Sequence, residues 1–141
     1  MNRQPWKFYV LTNRETIRNC SRQIAHHLEK TYHHALANGH TNGEDPVFHG
    51  APVVIFITGP ADNEWAPVDV GMCAQNMMLA ARALGLDTCP IGLARFIDTT
   101  QAEKLLYLSG NEHVLLAIIL GYGNELPSQP KRIGDNIIFI G

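Results

Sequence analysis

Two stretches of the chain are apolar at every position: Val53-Val54-Ile55-Phe56-Ile57 and Val114-Leu115-Leu116-Ala117-Ile118-Ile119-Leu120. A strand with one wet face alternates polar and apolar residues, so runs without alternation predict strands covered on both sides. Such a sheet needs helices to cover it, and the sequence supplies them. Thr12-x-x-Glu15 reads as a capping box, after which Ile17, Cys20, Ile24, Leu28, Tyr32 and Ala35 recur near the helical period until Asn38-Gly39. A second helix, from Val68, carries Val70, Cys73, Met77, Ala81 and Leu84 on one stripe and Met72, Leu79, Ala83 and Leu86 on another. Two apolar stripes predict burial from two sides, and Gly85 suits the position just past the last turn.

Shorter signals complete the pattern. Phe8-Tyr9-Val10-Leu11 favours a strand, and Thr100-x-x-Glu103 opens a short helix through Leu105, Leu106 and Leu108. "LDTCPIGLA" is too broken by Pro90 and Gly92 for a long central strand, which predicts that its end is a loop leaving a sheet. Residues 39–52 are dense in turn formers, and two readings stay open there: a loop that serves a site, or a mobile one. The final run, Ile137-Ile138-Phe139-Ile140, predicts a strand. At an exposed edge it would be an aggregation hazard, so it is expected to pair, a second copy of the chain being the candidate partner. Three helices and four apolar strands indicate an α+β sandwich, and 141 residues suit one domain, 1–141, burying roughly two-thirds of its unfolded surface.

Composition removes several function classes. A formal charge of −2 with 11 scattered Lys and Arg gives no basic footprint for nucleic acid. The longest apolar run falls well short of the roughly 20 residues of a membrane helix, and no signal-like start is present, so a soluble, cytoplasmic protein without a membrane partner is expected. Cys20, Cys73 and Cys89 fit neither a disulfide framework nor a zinc site and read as small apolar packers. His26-His27 and His33-His34 repeat at seven residues, about 10 Å along a helix, whereas metal pairs favour i, i+4; a solvated helix face is expected there, with no metal. No G-x-S-x-G, Walker, G-x-G-x-x-G or H-E-x-x-H pattern occurs, and no acid–base pair is evident.

Three stretches look made for a ligand. Asn2-Arg3-Gln4-Pro5-Trp6 offers amides and a guanidinium held by a rigid proline, suited to the edge of a planar heterocycle. Cys89-Pro90-Ile91-Gly92 offers backbone groups beside a glycine that permits close approach of a flat ring. Pro130-Lys131-Arg132 offers two adjacent cations suited to a phosphate. An edge reader, a backbone reader and a phosphate reader together describe a site for flavin mononucleotide (FMN).

"MNRQPWKFYVLTNRE", "GAPVVIFI", "VDVGMCAQNMMLAARALGLDTCPIGLA" and "AIILGYGNELPSQPKR" stand in an order and spacing that resembles the nitroreductase-like family of FMN-dependent oxidoreductases. The resemblance runs from Met1 to the C-terminus and is strongest in the second helix with the "CPIG" that follows. It implies a sandwich with a central mixed sheet flanked by helices, assembled as an intertwined homodimer with flavin at the interface. It implies that Asn2 and Gln4 lie along the flavin's pyrimidine edge with Arg3 near the ring or phosphate tail, that the backbone of Pro90, Ile91 and Gly92 meets the reactive nitrogen and a neighbouring carbonyl, and that Lys131 and Arg132 hold the phosphate.

The implied activity is an NAD(P)H oxidoreductase passing hydride by a ping-pong scheme to a small aromatic acceptor, nitroaromatic- or quinone-like. No side-chain catalytic group is expected, because the flavin carries the chemistry. Members of the family carry a helical segment ahead of N-x-Q-P-W, which the resemblance makes an expected but missing part of this domain. The rival reading is therefore a truncated, non-catalytic member that keeps the dimer scaffold and binds flavin or another planar ligand weakly.

Overall fold

The computed structural model describes residues 4–32, 45–132, 134 and 137–140. Four strands form one sheet: β1 (Lys7–Leu11), β2 (Val53–Pro60), β3 (Asp87–Ile91) and β4 (Glu112–Gly121). Their order is β1-β2-β4-β3. The two apolar runs read from the sequence are the two central strands, as their lack of alternation requires. Helix α1 (Arg14–Tyr32) covers one face and α2 (Ala66–Ala83) the other, so the α+β sandwich is as expected. All three described pairings are antiparallel, so the parallel component of a mixed sheet is absent among the described strands.

The face under α1 holds the larger core. Ile17, Cys20, Ile24 and Leu28 meet Val54, Phe56, Val114 and Ala117, and two 3-10 segments, Gly92–Thr99 and Gln101–Leu105, add Ala94, Ile97 and Ala102. On the other face Val70 and Ala74 of α2 lie on Ile57 and Ile118, with Trp6, Met77, Met78, Leu115 and Leu116 around them. Leu115 and Leu116 share this face because the ladder slips: Ile57 opposes Leu116 while Thr58 opposes Val114, leaving Leu115 as a bulged extra residue. The slip fits Gly59, whose absent side chain leaves room for Leu115.

Several local expectations shift. The cap of α1 is Asn13 rather than Thr12: its Oδ1 accepts the Thr16 amide at 3.0 Å, because the helix starts one turn position later than the Thr12 box implies. Thr100 does cap, accepting the Ala102 amide at 3.2 Å, but the five residues that follow wind as a 3-10 segment. Gly85, at φ +79°, completes a Schellman end to α2, with the Leu86 amide donating to Ala81 O and the Gly85 amide to Arg82 O. "DTCPI" is a short edge strand, where Pro90 is tolerated, and the chain leaves the sheet at Gly92 as expected.

Residues 45–52 are anchored rather than mobile. Asp45 is buried and accepts the amides of Phe48 and Gly50, each at 2.9 Å, while Val47 and Phe48 enter the core. Cys20 is fully buried and burial pushes its thiol up to about 11, whereas Cys73 is half-buried and Cys89 exposed, so only Cys20 is the expected core packer. Val68, Met72 and Leu79 on the outer side of α2 stay exposed in the single chain. Ile137 to Ile140 form no strand here and are exposed as well. Ala35, His33 and His34 lie outside the described residues.

Candidate functional site

The N-terminal and "CPIG" segments come to the same end of the sheet. β1 begins beside Thr58, whose other neighbour is Val114 near the start of β4. β3 runs toward that same end, with Ile91 level with Ala117, Phe56 and Tyr9. Gln4 therefore enters the sheet, and Gly92 leaves it, at one end but from opposite edges. Three strand spacings of about 4.8 Å put about 14 Å between those edges.

Gln4 is exposed and adopts φ +43° immediately before Pro5. A left-handed backbone is unfavourable for a side chain with a Cβ, on the order of 1–2 kcal/mol, and a following proline narrows the choice further. Asn2 and Arg3 lie outside the described residues. Pro90 is exposed, the Ile91 side chain is buried toward α1, and Gly92 starts the first 3-10 segment. A Cβ at Gly92 would meet no atom within 4 Å, so the backbone there faces open space. That is the surface a flat ring requires.

Lys131 and Arg132 lie in an exposed segment without regular structure, and neither has an ion-pair partner among the described residues. The direction in which that segment departs is set by Asp87, which accepts the Gly123 amide at 3.1 Å and Arg82 Nη1 at 2.7 Å. The single chain thus brings two of the three ligand-reading segments to one end of the sheet.

One polar network at this end has no sequence signature. Glu112, the first residue of β4, is paired with Lys7 and accepts the Tyr9 hydroxyl at 2.6 Å. Burial works against its charge, yet hydrogen bonds from Lys7, Tyr9 and Ser109 prevail and bring its carboxyl down to about 2. The same hydrogen bond, with burial, pushes Tyr9 up to about 12. More than a hundred residues separate the partners, so spacing could not have joined them. Nearby, Asp98 Oδ2 accepts the Val114 amide at 3.0 Å and lies 3.2 Å from His113 Nδ1, and burial raises its carboxyl. Among the described residues no three His, Cys, Asp or Glu side chains gather as metal ligands, and His27 packs against the rings of Tyr32 and Phe96.

Known proteins share this architecture. Residues 1–122 match the model of the Nitroreductase family, and the chain belongs to that family. It is 34% identical over 80 residues to 4-nitrobenzoate reductase of Pseudomonas putida, a match covering 55% of this chain and 34% of the relative. Over 86 residues it is 36% identical to nitroreductase NfnB of Mycolicibacterium smegmatis, covering 60% of this chain and 36% of that one. The matched stretches thus span about a third of each relative's length. Among solved structures, an FMN-bound nitroreductase of Bacteroides fragilis superposes with a TM-score of 0.83 at 19% identity, over 100% of this chain and 79% of the other. An FMN-bound nitroreductase of Desulfitobacterium hafniense gives 0.83 at 24% identity, over 100% and 78%. The fold expected from the sequence is therefore the fold observed. No described helix is long and apolar enough to cross a membrane.

Proposed function

We propose that this chain is an FMN-dependent NAD(P)H oxidoreductase that reduces nitroaromatic- or quinone-like acceptors as a cytoplasmic homodimer. The observation that carries the reading is the open backbone at Gly92, at the same end of the sheet as the Gln4 segment, in a chain of the nitroreductase family. The donor set suits the cofactor: amide side chains for a heterocycle edge, unobstructed backbone for a ring, and two exposed cations for a phosphate. Asn2, Arg3 and Gln4 would hold the pyrimidine edge, the backbone of Pro90, Ile91 and Gly92 the ring, and Lys131 and Arg132 the phosphate.

Bound FMN would supply hydride acceptance from NAD(P)H and electron delivery to the acceptor in a ping-pong scheme. The protein's own task is then to bind, orient and stabilise negative charge. Gln4 and the Gly92 backbone are donors for that charge, and no side-chain acid or base is needed. The dimer is supported by apolar surface without cover in one chain: Val68, Met72 and Leu79 along α2, and the 67–94% exposed run Ile137 to Ile140.

The visible spectrum of the purified chain, alone and titrated with FMN, tests this reading. A flavin spectrum near one per chain with NAD(P)H-dependent bleaching supports it. A protein that stays colourless, or binds FMN with Kd above about 100 μM, points instead to a non-catalytic scaffold.

A further inference from the structure

We propose that Lys7, Tyr9 and Glu112 form a positioning latch that fixes the course of Gln4, Pro5 and Trp6 out of β1 and so presets the Gln4 amide for the flavin; the inference rests on the cofactor reading above. Lys7 and Tyr9 are two apart on one strand and therefore share a face. That face is the α1 side, because Tyr9 and Leu11 pack against its core. Trp6 faces the other way and packs against the buried cluster of Ile57, Val70, Ala74 and Ile118. The first residues of β1 are thus held from both faces.

The latch crosses a strand. Among the described strands β1 pairs with β2 alone, yet the Lys7 and Tyr9 side chains reach across β2 to Glu112, whose strand partner is Pro60, the last residue of β2. β1 already makes five register pairs along its length, from Lys7 to Leu11. The backbone ladder already sets the register of β1, and the anchor sits on its first and third residues, at the end where the left-handed Gln4 emerges. Backbone strain of that kind persists only where its surroundings over-determine it. The Glu112 side chain is 9% exposed, so its charge is shielded from solvent screening while Lys7, at 60%, remains wet.

Glu112→Gln, Tyr9→Phe and, as the mildest change, Lys7→Met test the latch through two readouts. Amide hydrogen exchange in the FMN-free protein is expected to quicken tenfold or more at Trp6, Lys7 and Phe8 while β3 and central β4 keep wild-type rates. In FMN titrations each change is expected to raise Kd about tenfold, but less than twofold when Gln4→Ala is already present, since a latch acting through Gln4 has nothing left to position. Unchanged exchange overturns the latch. Affinity losses that simply add to that of Gln4→Ala overturn its link to the cofactor. A wild-type chain that takes up no FMN overturns both the cofactor reading and the latch's role in it, while the exchange rates still decide whether the latch holds the strand.

Discussion

The Ser21 hydroxyl accepts the Val47 amide hydrogen at 3.0 Å, joining helix α1 to a turn 26 residues further along the chain. Both groups are buried, and Ser21 is the one polar residue on an otherwise apolar helix face. The turn that carries Val47 and Phe48 into the core is held by this bond and by Asp45. Ser21→Ala leaves the amide buried without a partner. It is expected to cost about 1–3 kcal/mol, read as a lower urea midpoint at unchanged slope.

Gly59 marks a close approach between the start of α2 and the sheet. A Cβ there would stand 2.9 Å from Leu115 Cδ1 and 3.0 Å from the Ala66 Cβ. Leu115 can yield, but Ala66 sits at the start of α2 and cannot move without the helix. Gly59→Ala is therefore expected to destabilise by about 1–3 kcal/mol in thermal or chemical unfolding. A neutral result would show that α2 shifts freely over β2.

Acid and alkali both weaken the Glu112 network, each through a different partner. Its carboxyl falls from 4.5 to about 2 on folding, so its contribution is complete above about pH 4.5 and is lost as pH drops toward 2. The Tyr9 hydroxyl rises from 10.0 to about 12, so its contribution is complete below pH 10 and fades between 10 and 12. Unfolding free energies of wild type and Glu112→Gln, measured across pH, should differ by a constant amount from pH 5 to 9 and converge at the acid end. A difference that persists undiminished at pH 2 contradicts the assigned titration.

The basic pair stands clear of the core. Lys131→Ala with Arg132→Ala is expected to weaken FMN binding by two orders of magnitude or more, at about 1.5–3 kcal/mol per charge-assisted contact, with unfolding unchanged. Equal affinity in a flavin titration removes both residues from the phosphate site.

Ile137 to Ile140 would not stay wet in a dimer that exchanges its last strand. Removal of residues 137–140 is expected to shift sedimentation from dimer to monomer or to aggregate through the bared partner surface. An intact, well-behaved dimer after truncation contradicts the exchanged strand.

The central strands and both long helices were legible because burial on two faces leaves no polar alternation, and burial on one leaves the helical period; these are local consequences of which residues avoid water. The Gly85 end of α2 was legible for the same reason, since only the residues on either side are involved. β3 was harder, because Pro90 argues against a strand unless the strand lies at an edge, and edge position is a property of the whole sheet. The slip at Leu115, the Ser21 bond to Val47 and the Glu112 network were invisible, each requiring partners brought together from distant parts of the chain. The candidate site divides likewise: residue chemistry named Gln4, Gly92, Lys131 and Arg132 as ligand readers, and the family match agrees with the class. Only the strand order decided that Gln4 and Gly92 lie at one end of the sheet on opposite edges, because pairing geometry, unlike hydrophobicity, is settled between segments rather than within them.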